Sequence, residues 1–295
     1  MVILKQQHLL PWAIHEHVAI KQSVNDPASP PSSSSSGPTP DEQFVKEVSV
    51  TVDISGRAHH VVQCLGWSVL GEGQVALVMK LYKKSLYKLI EEQLDDALPL
   101  VLIVKIGLHV ARGMLELHTE RIVFEDLKPH NVLLDAEENA FLSDFGLSKQ
   151  VKDLSGVYTS NVGGTYLFMA PEKLRPPNSD KIRIGFASDV WAFGITMLQL
   201  LCCDTMAPYG RGVALPNIIM MLMVDRQAPQ VPAVPDAPEL QHILQTCLSL
   251  DYKERPSAAQ LVQAFERIFL HLQSTTPSPG PAAEVGAVAG HRLRQ

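Results

Sequence analysis

Residues 124–134 read Phe-Glu-Asp-Leu-Lys-Pro-His-Asn-Val-Leu-Leu, and residues 144–146 read Asp-Phe-Gly. Within these two elements Asp126 and Asn131 stand five positions apart, and Asp144 follows Asn131 by thirteen. Either element alone would be weak evidence for a function, because short turns that contain a capping Asp are common in loops of all kinds. Together and in this order they are a strong signal, and they decide how the rest of the chain is interpreted.

The residue types at these positions suit phosphoryl transfer. In-line transfer of a γ-phosphoryl group needs a carboxylate beside the attacking hydroxyl and oxygen ligands for Mg²⁺ on the nucleotide side. Asp126 is the candidate for the first role, and Asn131 and Asp144 are the candidate metal ligands. Lys128 would add a fixed positive charge beside the transferring phosphate, where charge stabilisation supplies much of the catalysis.

Motifs further along the chain complete a family pattern. Residues 164–172 are similar to the substrate-binding end of a kinase activation segment, and Ser188–Gly194 looks like a central buried helix. With the two catalytic elements, they make the chain resemble the protein kinase family from about Val18 to His271. Lys128 is typical of the serine/threonine type, and the sequence Asp-Val-Trp-Ala-Phe-Gly most resembles that of the tyrosine-kinase-like group.

The resemblance implies structural roles as well as catalytic ones. Arg255 matches the arginine that pairs with a buried glutamate in this family, which here is Glu172. Breaking such a buried pair from one side costs about 3 to 5 kcal/mol. We therefore expect Glu172, Asp189 and Arg255 to support the architecture and to take no direct part in the chemistry.

The fold class implied is α+β, with the two-lobed protein kinase fold. We expect a small, mainly β N-lobe over residues 1–82, carrying one helix and incomplete at its start, and a larger, mainly α C-lobe over 83–272. Within the N-lobe, the Ser/Pro-rich loop 26–41 is expected to be disordered, as is the Pro/Ala/Gly-rich tail 273–295.

Apolar periodicity predicts individual elements. A helix is expected over Asp41–Val52 with Asp41 as its N-cap, and a long helix over Leu98–His118 with Gly107 and Gly113 as weak points. The predicted strands and strand-containing segments are His17–Lys21, Val61–Leu70, Val75–Leu81 and Ile122–Phe141, with a turn over 71–73.

The nucleotide side of the resemblance lies upstream of the catalytic elements. Val18-Ala19-Ile20-Lys21 looks like the strand whose lysine contacts the α- and β-phosphates of ATP, and Glu47 is the candidate helix glutamate that orients it. The remaining ATP-binding residues that the resemblance implies are Ala19 and Leu133 around the adenine ring, Met79 at the back of its pocket, and Lys80 and Tyr82 with their backbone groups.

One departure from the family opens an alternative function. A kinase should carry a glycine-rich loop upstream of Lys21, yet no glycine precedes Gly37. Either the chain is a truncated product or its phosphate clamp is abnormal. The main hypothesis is an ATP- and Mg²⁺-dependent serine/threonine protein kinase, and the alternative is a pseudokinase that binds nucleotide or acts as a scaffold. A small-molecule kinase of related fold is disfavoured by the segment 164–172.

A second departure concerns control. The family usually has arginine immediately before the catalytic aspartate, where it helps to hold a phosphorylated activation segment, and this chain has Glu125. A phosphate on Ser155, Tyr158, Thr159 or Ser160 would meet a like charge. We hypothesise that activity does not depend on phosphorylation of that segment, and that Glu125 pairs with Lys149 or Lys152.

Composition excludes several other classes. The net charge of -6 offers no general basic surface for nucleic acid. The four cysteines show no metal or disulfide spacing, and the most apolar runs are shorter than the roughly 20 residues of a membrane span. We expect a protein substrate as partner, no membrane span and a cytoplasmic location. The oligomeric state is left open.

Overall fold

A computed structural model of the chain describes residues 18–22, 40–69, 75–93, 97–151, 157–159, 165–174, 182–210 and 212–275. These residues form a strand-rich N-terminal part and a larger helical C-terminal part, so the predicted α+β, two-lobed fold is confirmed. The residues near the N-terminus, the Ser-rich loop over 26–39, the turn over 71–73 and the tail from 276 onward lie outside the described residues.

The N-terminal part is a three-stranded antiparallel sheet covered by one helix. The central strand β3 pairs with β1 on one side and β2 on the other. Helix α1 places Phe44, Glu47, Val48, Thr51 and Ile54 at helical spacing on its buried side, so this side faces the sheet. The elements are β1 (Val18–Gln22), α1 (Pro40–Ser55), β2 (Cys64–Val69) and β3 (Val75–Lys80).

The C-terminal part is built on long apolar helices. Its helices are α2 (Leu86–Glu92), α3 (Leu100–Thr119), α4 (Phe186–Cys202), α5 (Leu215–Ile219), α6 (Pro238–Cys247) and α7 (Ala258–Thr275). A π-helical turn, Met220–Val224, continues α5. Its short strands are β4 (Lys84–Ser85), β5 (Ile122–Val123), β6 (Val132–Leu134), β7 (Ala140–Leu142), β8 (Lys149–Gln150), β9 (Val157–Thr159) and β10 (Ile182–Ile184).

Helix α3 is the centre of this part, and its glycines make close packing possible. A Cβ at Gly107 would lie 2.3 Å from the Phe265 ring of α7, and one at Gly113 would lie 2.8 Å from the His60 carbonyl oxygen. Larger side chains would therefore force α3 away from its neighbours. Helix α3 runs unbroken through Gly107 and Gly113, and these two positions, which were expected to be weak points, are places of close contact.

The observed boundaries differ slightly from those expected. Helix α1 begins at Pro40, two residues inside the predicted loop 26–41, so Asp41 lies in its first turn and is not the N-cap. Helix α7 continues to Thr275, three residues into the predicted tail 273–295. The strand predicted from Val61 begins at Cys64, because Val61 instead bridges to Leu142. No helix within the described ranges is long and apolar enough to cross a membrane.

Asp189 in the first turn of α4 fixes the loop that carries the catalytic motif. Its side chain is 1% exposed, and it accepts hydrogen bonds from the backbone N–H groups of Phe124 (2.8 Å) and Glu125 (2.9 Å). It also lies 2.9 Å from Nε2 of His118 at the end of α3. A buried carboxylate needs such donors to offset its lost hydration. These contacts give Asp189 the architectural place expected for it.

Glu172 and Arg255 form a buried, bidentate ion pair. The two guanidinium nitrogens of Arg255 each lie 2.8 Å from a carboxylate oxygen of Glu172. Arg255 also donates to the carbonyls of Ala187 (2.8 Å) and Ser249 (2.9 Å), and its guanidinium lies 5.0 Å from the ring centroid of Trp191. The pair thereby joins the segment before α4 to the segment before α7, as the resemblance implied.

Removing Arg255 should therefore unfold the C-terminal part more easily. We expect Arg255→Met to lower the free energy of unfolding by about 3 to 5 kcal/mol, because Glu172 is left buried without its partner. The matched control is Arg267→Met, which breaks the exposed pair with Glu239 and should cost less than about 1 kcal/mol. Urea denaturation of both variants measures this, and equal losses would contradict the structural role of Arg255.

Candidate active site

Asp126, Lys128 and Asn131 form one hydrogen-bonded group on the loop between β5 and β6. The Asp126 carboxylate accepts from Nζ of Lys128 (2.7 Å) and from Nδ2 of Asn131 (2.9 Å) through the same oxygen, Oδ2. Asn131 also donates to the Asp126 carbonyl (2.8 Å), and Lys128 donates to Oγ1 of Thr165 (3.0 Å). The group holds the Asp126 carboxylate in one orientation and connects it to the segment 165–174.

Asp144 is presented by a strained backbone conformation. Its φ angle is +67°, and its side chain is 44% exposed, so the carboxylate points out of the core. The preceding Ser143 N–H donates to the Asn131 carbonyl (2.9 Å), and the following Phe145 is fully buried. Phe145 meets Phe124 edge to face, with ring centroids 5.3 Å apart. Both neighbours thus fix Asp144 close to Asn131.

Lys21 joins Glu47 and Asp144 across the cleft between the two parts of the molecule. Its Nζ lies 2.6 Å from Oε1 of Glu47 on α1 and 3.1 Å from Oδ1 of Asp144. Burial acts to lower the pKa of Lys21, but the hydrogen bonds and negative charges of Glu47 and Asp144 outweigh it, so the pKa is raised. Lys21 is therefore a fixed cation at neutral pH.

Lys46, the neighbour of Glu47, makes a contact that the sequence did not indicate. Its Nζ donates to the carbonyl of Ser148, two residues beyond the Asp-Phe-Gly element, over 2.8 Å. Helix α1 is thus tied to the segment that carries Asp144 through Lys46 and to β1 through Glu47. A lysine on the exposed side of a helix gives no sequence signal for such a tether.

The residues expected around the adenine ring lie on two different sheets, one in each part of the molecule. Ala19 and Met79 are paired in register across β1 and β3. Leu133 lies on β6 and is half-buried. The Lys80 N–H is occupied by the Gln63 carbonyl (3.0 Å), so any adenine contact from Lys80 must use its carbonyl. The Tyr82 side chain is buried beside Phe141, and its hydroxyl accepts from the Gln63 N–H (3.1 Å), which leaves its backbone for the role expected of it.

The donor set at the cleft suits a hard divalent cation. Asn131 gives both its amide hydrogens to Asp126, which leaves its amide oxygen as a ligand, and Asp144 has a second carboxylate oxygen besides the one facing Lys21. Within the described residues no group of three or more His, Cys, Asp or Glu side chains could hold a metal. A cation here would need further oxygen ligands, as Mg²⁺ takes from nucleotide phosphates and water.

Glu125 forms a buried ion pair with Lys173, which the sequence did not indicate, and a longer one with Lys149, which was one of its two predicted partners. Its carboxylate Oε2 lies 3.3 Å from Nζ of Lys173 and 3.9 Å from Nζ of Lys149. Burial raises the pKa of Glu125 against the lowering charge of Lys173, and its other oxygen, Oε1, has no hydrogen-bond partner among the described residues. Lys173 is thus the nearer partner, the contact with Lys149 is longer, and Lys152 lies outside the described residues.

The chain is similar to known proteins over most of its length. A family model described as protein kinase domain matches residues 13–265. Serine/threonine-protein kinase BIK1 of Arabidopsis thaliana is 31% identical over 187 residues, which cover 58% of this chain and 46% of that protein. MAP kinase kinase skh1/pek1 of Schizosaccharomyces pombe is 30% identical over 57% of this chain and 47% of that protein.

A longer match is to a probable LRR receptor-like serine/threonine-protein kinase, RPK1, of Arabidopsis thaliana. It is 27% identical over 244 residues, which cover 77% of this chain and 44% of that protein. The chain therefore spans less than half the length of these three curated relatives.

The Glu125–Lys173 pair can be tested by a double-mutant cycle. Lys173→Met should lower the free energy of unfolding by about 3 kcal/mol, because Glu125 is left as an incompletely paired buried charge. Adding Glu125→Gln should restore part of that loss, because the residual charge is removed. Urea denaturation of the two single variants and the double variant measures the coupling. Additive losses would show that the two side chains do not interact.

Proposed function

The chain belongs to the protein kinase family, and on that premise we propose that it transfers the γ-phosphoryl group of Mg²⁺-ATP to serine or threonine hydroxyls of protein substrates. A protein kinase domain implies ATP and a protein as its two substrates. Two of the relatives described above, BIK1 and RPK1, are named as serine/threonine-protein kinases, which supports the assignment drawn from Lys128.

The observation that carries this proposal is the convergence of three separate segments on one cleft. Lys21 of β1 reaches Asp144 within 3.1 Å although 123 positions separate them, and Glu47 of α1 holds the lysine within 2.6 Å. On the other side Asn131 connects the Asp144 segment to Asp126. A nucleotide anchor, a metal site and a base are thereby arranged around one space.

Each side chain has a distinct task in the proposed reaction. Lys21 binds the α- and β-phosphates, and Glu47 orients it. Asp126 accepts the hydrogen bond of the attacking hydroxyl and takes its proton as the new phosphate ester forms. Lys128, which already bridges Asp126 and Thr165, lies where negative charge develops on the transferring group. Asn131 and Asp144 would hold Mg²⁺, which neutralises charge on the nucleotide oxygens.

One observation favours the alternative of a nucleotide-binding or scaffold module. The absence of any glycine before Gly37 means that these residues supply no glycine-rich loop to cover the phosphates. A kinase and a nucleotide-binding module both require Lys21, Glu47 and Asp144, so these two functions differ in whether phosphate is transferred and not in how the nucleotide is held.

Phosphate transfer that depends on Asp144 decides between them. We expect the purified chain to incorporate labelled phosphate into itself or into a generic basic protein, and Asp144→Asn to reduce the rate at least about a hundredfold, because a metal ligand loses its charge. The exposed Asp225→Asn is the matched control and should leave the rate unchanged. Nucleotide binding without any transfer that Asp144→Asn removes would establish the scaffold function.

We further propose that the activity does not depend on phosphorylation of the activation segment. The usual arginine before the catalytic aspartate would attract a phosphate on that segment, whereas Glu125 would repel it. The ion pair between Glu125 and Lys173, which lies at the end of the segment, takes the place of the usual arginine–phosphate contact. Lys173 carries its charge without any modification, so this pair is always present.

Phosphatase treatment tests this second proposal. The dephosphorylated parent should keep its kcat/KM to within about twofold, because the Glu125–Lys173 pair needs no phosphate. In Glu125→Arg two cations would face each other, so this variant should lose activity on the same treatment and recover it on rephosphorylation of the segment. A parent that loses most of its activity on dephosphorylation would contradict the proposal.

A further inference from the structure

A cleft of about 550 Å³ opens beside the catalytic loop. It shares Lys128, Asn131 and Thr165 with the proposed active site, and Lys128 lies 2.7 Å from the Asp126 carboxylate. The cleft therefore begins at the place where the accepting hydroxyl would bind. Its volume is within the range of sites that take up a side chain or small ligand, roughly 300 to 1,000 Å³.

One wall of the cleft is an aromatic pair formed by two separate segments. The ring of Tyr87, in the first turn of α2, stacks on that of His130, the residue before Asn131, with centroids 3.8 Å apart and an angle of 24° between the planes. The pair presents a largely apolar surface one residue away from the proposed metal ligand.

The lining residues that are not shared with the proposed active site or the aromatic pair are mainly apolar. They are Leu167 and Phe168, which precede Met169, and Met206 in the loop after α4, together with Thr205 and Gln199. Gln199 is buried and gives its amide hydrogens to the carbonyls of Thr205 and Ala207. The amide hydrogens of Gln199 are thus already bonded inside the protein. This part of the cleft therefore offers a ligand apolar contacts more than hydrogen bonds.

The charges around the cleft disfavour a basic ligand. No carboxylate lines it among the described residues, and its one cation, Lys128, is paired with Asp126. Glu91 on α2 lies outside the lining and is paired with Lys88 over 3.0 Å. A lysine or arginine that entered the cleft would meet the like charge of Lys128 and no carboxylate with which to pair. An aspartate or glutamate would find Lys128 already neutralised.

We propose that this cleft binds an apolar or aromatic side chain of the protein substrate, located within a few residues of the serine or threonine that is phosphorylated. The inference rests on the proposed kinase function and adds the class of sequence that the site accepts. An extended segment rises about 3.3 Å per residue, so only close neighbours of the accepting residue reach the cleft. Tyr87 and His130 are then specificity-determining residues.

Synthetic peptides test the proposal directly. Each peptide carries one serine in an otherwise Ala/Gly sequence, with Leu, Phe, Arg or Asp at one position within three residues on either side. At the best position we expect kcat/KM for Leu and Phe to exceed that for Arg and Asp by about tenfold, since burying one large apolar side chain has an effect of at least that size. Tyr87→Ala should reduce this preference to less than about threefold.

A charge variant makes the test independent of how well Tyr87→Ala folds. His130 is exposed, and His130→Glu places a carboxylate on the wall of the cleft, so Arg peptides should gain at least about tenfold relative to Leu peptides. The matched control His242→Glu adds the same charge on the exposed surface of α6 and should leave the ranking unchanged.

The outcomes separate the inference from the function on which it rests. A parent that phosphorylates all peptides equally, or prefers Arg, overturns the inference and leaves the kinase function standing. The same holds if His130→Glu and His242→Glu shift the ranking alike. A parent that phosphorylates none of the peptides and no generic protein overturns both. A preference for Leu and Phe that Tyr87→Ala reduces supports the inference.

Discussion

The buried carboxylate of Asp189 is the constraint on which the site depends. It accepts the N–H groups of Phe124 and Glu125 and contacts His118, so it fixes the backbone immediately before Asp126. Glu125 takes a φ of +73° there, a conformation that costs a non-glycine residue free energy and persists only when its surroundings hold it. An unpaired carboxylate at 1% exposure would be strongly unfavourable, so the loop and Asp189 stabilise each other.

A second constraint comes from two neighbouring residues of opposite charge. Glu172 pairs with Arg255 near the start of α7, and Lys173 pairs with Glu125 in the catalytic loop. Both lie in the short 3₁₀ turn Pro171–Lys173. This turn therefore connects the loop that carries Asp126 to the helical core.

The sequence predicted the family, the fold class and the side chains that meet in the cleft, because phosphoryl transfer restricts which residue types stand at which spacing. The family match over residues 13–265 confirms the first two, whereas the roles of the individual site residues stay predictions.

The structure brings Lys21, Glu47 and Asp144 together, yet it adds contacts that no motif indicated. Lys46 and Lys173 look like ordinary surface lysines in the sequence, since their partners are a backbone carbonyl and a buried glutamate distant along the chain. The close contacts of the α3 glycines were not predicted for a similar reason, because helix propensity describes an isolated helix and does not include the Phe265 ring that packs against Gly107.

The turn Pro171–Lys173 has a consequence for how the molecule fluctuates. Because its two adjacent side chains hold different parts of the protein, a local opening of this turn would release Arg255 and Glu125 at the same time. Local opening normally occurs in cooperative units whose members lose protection together. The catalytic loop and the beginning of α7, which are far apart along the chain, are thereby placed in one such unit, so their amide hydrogens should exchange with solvent as a group.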